Sequence, residues 1–450
     1  MERILIKDLK KNIGKDVRIR GRVETMRDQG KIVFLIVSDK SGKVQSVCWI
    51  GNGEELFNTV KRITHESIVD IHGKVNEAKQ VETGYEVEIK DIKIDSLAQT
   101  PLPIVIEEEH ADNLTALDKR LDYRWIDLRS KRNHLMMLVG TLVGKSLRDF
   151  CLMNDFTEIQ GPRIISAASE GGANVFEVKY FDRKAYLAQS PQFHKQMAIA
   201  AGLERVFNMG PVFRAEKSFT TRHLTEYTSF DVEISYIDSY KDVCHFEQEM
   251  IKYMLEEVKE KYGKEIKEVF GVDVVVPEGD FPYLTVEEAK KKLAKKGVPS
   301  KDDGDFSPEE ERAIGEIMKE ETGSEFIFMI DYPHRRRAFY HMKDEKNPTL
   351  ALGFDLFWNG LEITTGAQRE HGYEQLKENA KERGINEESL EDYFEYFKYG
   401  CPPHGGFAIG TERLLMKLLN FNSVLETTYL PNTPNRLGKL LAKVKIEKKK

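Results

Sequence analysis

Between Arg205 and Tyr236 the chain reads RVFNMGPVFRAEKSFTTRHLTEYTSFDVEISY, a stretch that crowds cations, carboxylates and an aromatic together. Two β-patterned runs, 205–215 and 226–236, flank a polar loop that fits neither strand nor helix periodicity. Arg214 and Glu216 close the first run, Lys217, Arg222 and His223 lie in the loop, and Glu226, Tyr227, Asp231 and Glu233 follow on the return. Arginine suits a phosphate because its planar fork donates two parallel hydrogen bonds and keeps its charge. A flanking carboxylate can accept from an amine, such as that of adenine. Any one of these residues reads equally well as a solvated surface charge; the set, crowded into one hairpin, points to a site.

Further stretches carry chemistry of the same kind. LALGFDLFW (350–358) and LEITTGAQR (361–369) face each other across Asn359-Gly360, which is hairpin-turn chemistry. Asp355 and Glu362, with Thr365 nearby, offer the hard oxygens that Mg²⁺ takes when it bridges to phosphates, although Asp355 alone reads as well as a structural acceptor. In GCPPHGGFAIGTERLLMKLL a glycine-rich strand leads into a helix; Gly405, Gly406 and Gly410 permit close approach of backbone to a ligand, and Arg413 falls in the first helical turn. YLAQSPQFHK (186–195) is a short strand meeting a helix, with Ser190 and Pro191 as cap and first-turn residue. Gln192 and Lys195 then share a side, where a cation can meet a substrate carboxylate; a solvated lysine is the ordinary alternative. SAASEGGANVF (166–176), small and carrying Glu170, reads as a loop that closes over a ligand or as a plain surface loop.

The elements that must position these groups fall into two parts. Residues 1–97 hold five β-patterned runs (16–24, 31–38, 43–50, 67–75, 85–94) with one helical pattern, 53–63, after the third. That is the order of an OB-fold barrel, whose open face commonly holds single-stranded nucleic acid. Arg18, Arg20, Arg22 and Arg27 follow the first run, while Phe34 and Gln45 offer a stacking plane and a base-edge partner; barrel core and solvated face are the equal alternatives. Residues 98–130, turn-rich and charged, form a hinge. The second domain spans 131–450: a long helix at 129–153, FTEIQGPRI as a strand interrupted by Gly161-Pro162, strands at 326–330 and 338–342, and a charged helical stretch at 373–398. Helical patterns at 241–263, 285–296 and 307–321 make an insertion at about 241–323 without obvious chemistry. Arg335 to Arg337 form a cationic corner read as solvated, and the basic end of the chain reads as a contact to RNA phosphates or, more ordinarily, as a solubilising tail.

Composition narrows the class. The 450 residues carry a formal net charge of −7, which excludes a globally basic nucleic-acid coat and leaves local basic surfaces open. Cys48, Cys151, Cys244 and Cys401 lie far apart with no CxxC pair, so neither a zinc site nor a disulfide framework is indicated, and a cytoplasmic location is expected. The opening MERILIKDLKKN lacks the apolar core of a signal peptide, and no apolar run approaches the roughly 20 residues that span a bilayer.

FRAE followed by RHLTEY and FDVE resembles motif 2 of the class II aminoacyl-tRNA synthetases, GGFAIGTERL resembles motif 3, and FTEIQGPRI resembles motif 1. The resemblance covers nearly the whole chain, since a barrel ahead of the catalytic domain is the layout of the aspartyl, asparaginyl and lysyl subgroup. SEGG, QSPQ with Lys195, RHLTEY, GAQR and PPHGG most resemble the aspartyl enzymes of the archaeal and eukaryotic kind. The bacterial form carries a large extra domain that this length cannot hold.

The resemblance implies an α+β chain: a five-stranded OB-fold barrel, then a catalytic domain on an antiparallel sheet flanked by helices. It implies ligation of L-aspartate to tRNA with ATP and Mg²⁺, a homodimer formed through motif 1, and no membrane association. ATP is expected against Arg214, Glu216, Arg222, His223, Leu224, Tyr227, Glu362, Gly410, Thr411, Glu412 and Arg413, with Tyr227 and Arg413 sandwiching adenine. Mg²⁺ is expected on Glu362, helped by Asp355 and Thr365. Lys195 and Arg369 are expected at the aspartate side-chain carboxylate, Glu170, Ser190, Gln192 and Asp231 at its ammonium group, and Arg214 and Thr365 close by. Arg214, Glu362 and Arg413 are the expected catalytic residues, and Arg27, Phe34, Gln45 and Glu86 the anticodon readers. An asparaginyl enzyme is the alternative within the class, disfavoured because that relative lacks a lysine at the Lys195 position. A silent RNA-binding paralogue is the alternative outside it, and would have lost Arg214, Glu362 or Arg413. Asn432 stands where the family usually has a phosphate-site arginine, with Arg436 as the nearby replacement. Glu24 replaces an expected tryptophan and hints at relaxed choice between tRNA for aspartate and tRNA for asparagine.

Overall fold

The structure, a computed structural model, describes residues 1–106, 115–166, 174–217, 220–300, 302 and 304–438. It divides into two compact units, Met1–Val105 and Ile106–Lys450. In the first, β1 (Asp16–Asp28), β2 (Ile32–Asp39), β3 (Gly42–Trp49), β4 (Ile68–Glu77) and β5 (Tyr85–Ser96) close a barrel in the order β1-β2-β3-β5-β4. Strand alternation sorts the side chains: Val33, Leu35 and Val37 of β2 are buried, whereas Phe34 and Ile36 face outward. The helix Glu54–Lys61 adds Phe57 and Val60 to the barrel core. Arg18, Arg20 and Arg22 are engaged by barrel carboxylates, namely Asp70 (2.6 Å), Asp95 (2.5 Å) and Glu66 (3.3 Å).

The second unit is built on an eight-stranded sheet. Its strands are β6 (Thr157–Glu158), β10 (Arg205–Phe213), β11 (Glu226–Ser235), β12 (Tyr283–Thr285), β13 (Phe326–Ile330), β14 (Gly353–Trp358), β15 (Glu362–Gln368) and β16 (His404–Gly410), in the order β12-β13-β14-β15-β16-β11-β10-β6. A smaller sheet orders β7 (Ile164–Ile165), β9 (Arg183–Leu187) and β8 (Glu177–Tyr180). The large sheet is mixed rather than wholly antiparallel, because its outermost pairs, β12 with β13 and β6 with β10, run parallel. FTEIQGPRI is accordingly not one strand: its halves, β6 and β7, join different sheets on either side of Pro162, which has no N–H to continue a ladder. Residues 338–342 form turns with an isolated bridge from His341 to Arg369, not a strand.

One face of the large sheet is covered by the helices Lys131–Met153 and Tyr240–Phe270. Ser130 caps the first by accepting from the Asn133 N–H, and Gly271, at φ 69°, ends the second. Met136, Val139, Val143 and Leu147 meet Phe207, Phe230, Val232, Met250 and Met254 in this core. Glu247 of the second helix is buried there beside the Thr364 hydroxyl. On the opposite face, the helices Val286–Lys295 and Pro308–Thr322 pack on Ile327, Met329 and Phe357. The latter helix touches the Asn359-Gly360 turn backbone to backbone: a Cβ on Gly315 would lie 2.4 Å from the Gly360 nitrogen.

Candidate active site

Sheet register gathers residues that the sequence scatters. Asp355 pairs with Thr365, Thr365 with Ala408, Ala408 with Asp231, and Asp231 with Asn208, so one row crosses β14, β15, β16, β11 and β10 on a single face. Beside it opens a cavity lined by Arg214, Glu216, Arg222, His223, Leu224, Tyr227, Glu362, Thr365, Gly410, Glu412 and Arg413. The three expected catalytic residues, from three separate segments, are thus brought together.

At one wall the Arg214 guanidinium lies 5.7 Å from the Tyr227 ring centroid. Gly410 separates Tyr227 from Arg413, since a methyl there would lie 4.0 Å from both side chains. A flat ring between them meets a π-face on one side and a guanidinium on the other. Glu216 stands within 4.0 Å of Arg214 and 3.8 Å of the His223 ring. Burial and the neighbouring Arg413 keep His223 below the ordinary histidine range, and the Thr220 hydroxyl at 2.6 Å fixes its ring. Thr411 and Glu412 are committed to the fold: the Thr411 hydroxyl donates to the Thr228 carbonyl (3.1 Å), and Glu412 accepts from the Thr228 N–H (3.0 Å), which pins the motif 3 helix to β11.

Glu362 enters the cavity at the start of β15. Burial, reinforced by the like charge of Asp355, pushes its carboxyl up to about 7. The Thr365 hydroxyl donates to Glu362 Oε1 at 3.2 Å. Asp355 accepts two bonds from Arg337, at 3.0 and 2.6 Å, and Arg337 in turn lies 3.6 Å over the Tyr332 ring. The corner read as solvated therefore buries one of its three cations against a site carboxylate. No group of three or more His, Cys, Asp or Glu side chains gathers as an ion site among the described residues. Asp355, Glu362 and Thr365 supply two carboxylates and a hydroxyl, and a divalent cation there would offset both the burial of Glu362 and its repulsion by Asp355. The donor set fits Mg²⁺ bridged to phosphate oxygens.

A buried cluster of paired charges adjoins the row. Lys195 is 0% exposed, with Nζ 3.2 Å from Asp231, 3.1 Å from Glu233 and 3.3 Å from the Val232 carbonyl, so it is not a solvated lysine. Arg369 donates from Nε to Glu233 (2.9 Å) and from Nη2 to the Gly406 carbonyl (2.9 Å). Burial opposes ionisation of Glu233, yet Arg369 and Lys195 hold it down to about 2. Gln192 donates to the same carboxylate at 3.3 Å, and Ser229 donates to Asp231 at 2.6 Å. Burial takes His404, beside Gln196 at 2.9 Å, down to about 4. Ser190 accepts from the Gln192 N–H (3.1 Å), but the helix Gln192–Ala200 is capped at Pro191, one residue later than its sequence suggests. Glu170 lies outside the described residues.

Sequence reasoning missed Arg163, Glu311 and Arg337. Arg163 hydrogen-bonds Asn208 in the Asp231 row, in space that Gly210 leaves open. Glu311, on the insertion helix assigned no chemistry, receives Arg222 at 2.8 Å. At the C-terminal turn, Asn432 donates to Glu226 (2.8 Å). Arg436 is bound to Asp122 (2.7 Å) and the Asp118 carbonyl. In the barrel, the Arg27 guanidinium lies 5.9 Å from the outward Phe34 ring, and Gln45 donates to Glu86 at 2.8 Å.

A mixed sheet bearing an arginine and tyrosine on one hairpin, a carboxylate pair on the next and an arginine on the helix after β16, accompanied by a closed barrel, has the makeup of a class II synthetase. The family described as tRNA synthetases class II (D, K and N) matches residues 116–434, and that of the OB-fold nucleic acid binding domain matches 17–95; the chain belongs to this class II family. Among its relatives are the aspartate--tRNA(Asp/Asn) ligases of Aeropyrum pernix, 38% identical over 94% of this chain and 96% of that one, and of Thermus thermophilus, 39% identical over 97% and 99%. The aspartate--tRNA(Asp) ligase of Pyrococcus furiosus is 37% identical over 94% and 96%. Among solved structures, the asparaginyl-tRNA synthetase of Pyrococcus horikoshii with asparaginyl-adenylate superposes with a TM-score of 0.90 at 32% identity, covering 97% of this chain and all of the other. The aspartyl-tRNA synthetase of Entamoeba histolytica gives 0.86 at 29%, covering 97% and 93%. Among the described residues no helix is long and apolar enough to cross a membrane.

Proposed function

We propose that the chain activates L-aspartate with ATP and transfers it to tRNA, as a homodimer joined through motif 1, in the reducing cytoplasm that its four free cysteines suit. The observation that carries the reading is the fully buried Lys195 beside Arg369. Two cations held at fixed positions next to the catalytic row, where they pair with Asp231 and Glu233, can also meet a substrate carboxylate, which they match better in charge than a neutral amide. This favours aspartate over asparagine.

In this reading Gln192, Ser190, Asp231 and Glu170 receive the ammonium group, and Tyr227 and Arg413 hold the adenine with Glu216 at its amine. Arg222 and His223, with the backbone of Leu224 and Gly410, line the polyphosphate. The aspartate α-carboxylate attacks the α-phosphorus in line, a step that needs positioning and charge neutralisation more than an acid or base. Arg214 donates to the α-phosphate and stabilises the charge that builds on it. Mg²⁺, held by Glu362, Asp355 and Thr365, supplies further neutralisation when bound. Pyrophosphate leaves, and the terminal hydroxyl of tRNA takes the aspartyl group. Arg27, Phe34, Gln45 and Glu86 read anticodon bases, with the residues after 97 as the hinge between barrel and catalytic domain.

Aminoacylation of purified tRNA for aspartate and for asparagine, with labelled aspartate, tests the function and settles the acceptor range. Charging of neither, together with no aspartate-dependent exchange of pyrophosphate into ATP, would refute it. Lys195→Leu is expected to lose most activity and its discrimination against asparagine; normal aspartate kinetics in that variant would show the pocket to be misplaced.

A further inference from the structure

Glu311 closes a ring of hydrogen bonds around the cavity. Arg222 Nη1 donates to Glu311 Oε2 at 2.8 Å, and the Glu362 N–H donates to the same oxygen at 3.3 Å. Arg413 Nη1 donates to the Glu362 carbonyl at 3.2 Å, and Arg413 Nε to the Arg222 carbonyl at 3.2 Å. Four segments distant in sequence meet in this circuit: the motif 2 loop, the insertion helix, the start of β15 and the motif 3 helix. The insertion helix supplies a rigid base for it. Ser307 caps the helix in a reciprocal box with Glu310, and the Gly315-to-Gly360 contact seats it against the turn that leads to Glu362. A larger residue at either glycine would collide with backbone.

We propose that Glu311 is a positioning residue for the reaction with ATP. Resting on the reading of Arg222 as a polyphosphate contact, the inference is that Glu311 anchors one nitrogen of the Arg222 guanidinium from behind. The rest of that side chain, still part of the cavity lining, is then presented to the terminal phosphate in a fixed orientation. The carboxylate does not repel the nucleotide, because its inner oxygen is occupied by two donors and its charge is matched by Arg222 itself. Without the anchor, a long loop arginine must be ordered each time ATP binds, and affinity falls.

The test is steady-state ATP–pyrophosphate exchange with Glu311→Ala, Glu311→Gln and Arg222→Ala, singly and with Glu311→Ala and Arg222→Ala combined, alongside binding of AMP, which lacks the outer phosphates. Glu311→Ala is expected to raise KM for ATP about tenfold while leaving KM for aspartate and Kd for AMP within about twofold. Glu311→Gln, which keeps an acceptor but not the charge, is expected to fall between Glu311→Ala and the unaltered protein. In the Arg222→Ala background Glu311→Ala adds no further change, which a merely structural role would not produce. An unchanged or lowered KM for ATP, an equal weakening of AMP, or a full effect persisting without Arg222 overturns the proposal. Absence of aspartate-dependent exchange in the unaltered protein overturns the functional reading instead.

Discussion

Replacing Glu247 by glutamine is expected to stabilise the protein at neutral pH and to remove part of its pH dependence. Glu247 is fully buried beneath the sheet, and burial, with a smaller push from Asp355, carries its carboxyl from an ordinary 4.5 up to about 8. Between these values the folded chain keeps a proton that the unfolded chain releases. The contribution of this group to stability is therefore intact below pH 4.5 and falls as pH rises towards 8, by about 1.4 kcal/mol per unit. At pH 7 the loss amounts to roughly 3 kcal/mol, on the order of the linkage expected for such a shift. Glutamine preserves the shape of the protonated acid, but it cannot ionise. Thermal melts of both proteins from pH 5 to pH 8 should diverge steadily, with the variant ahead by roughly 4 °C at pH 7, taking 1–2 °C per kcal/mol for a unit of this size. The slope of the difference is the readout, because any fixed cost of the amide shifts the curves without tilting them. Parallel curves, or a gap that narrows as pH rises, would refute the reasoning.

Two other outcomes are expected. Glu362 titrates at about 7 because of burial and the Asp355 charge, so below pH 7 Mg²⁺ must displace a proton. Half-saturation of pyrophosphate exchange by Mg²⁺ at pH 6 should need roughly tenfold more cation than at pH 8, a difference that Glu362→Gln abolishes; equal requirements at both pH values would exclude Glu362 as a ligand. Phe34→Ala should raise KM for tRNA by about 5- to 100-fold, the range of one lost stacking partner, while leaving aspartate-dependent exchange unaltered. An unchanged KM would return Phe34 to the role of barrel surface.

The barrel was legible because period-two runs bounded by turn residues announce strands without reference to anything distant. Arg214, Tyr227, Glu362 and Arg413 were legible because each sits in a local pattern rich enough to be read as a unit. Arg337 and Glu311 were not. Arg337 meets Asp355 18 positions on, and Arg222 meets Glu311 89 positions on, through sheet register and helix docking that no local period encodes. Lys195 shows the middle case: helical spacing placed it beside Gln192, but only the structure brings Asp231 and Glu233 to it and removes the solvated alternative. The interruption at Gly161-Pro162 was legible from proline chemistry, but not that the two halves join different sheets.

The position of β16 in the sheet has a consequence for how the chain is made. β16 lies between β11 and β15, whose residues are synthesised earlier, and it starts only at His404. A chain still emerging from the ribosome therefore carries two raw strand edges, and the arginine and the carboxylate that flank the future cavity have no wall between them. Such edges invite pairing with the wrong neighbour. The last central strand must arrive before the cavity has its walls, and a chain truncated even shortly before residue 404 would hold neither Gly410 nor Arg413.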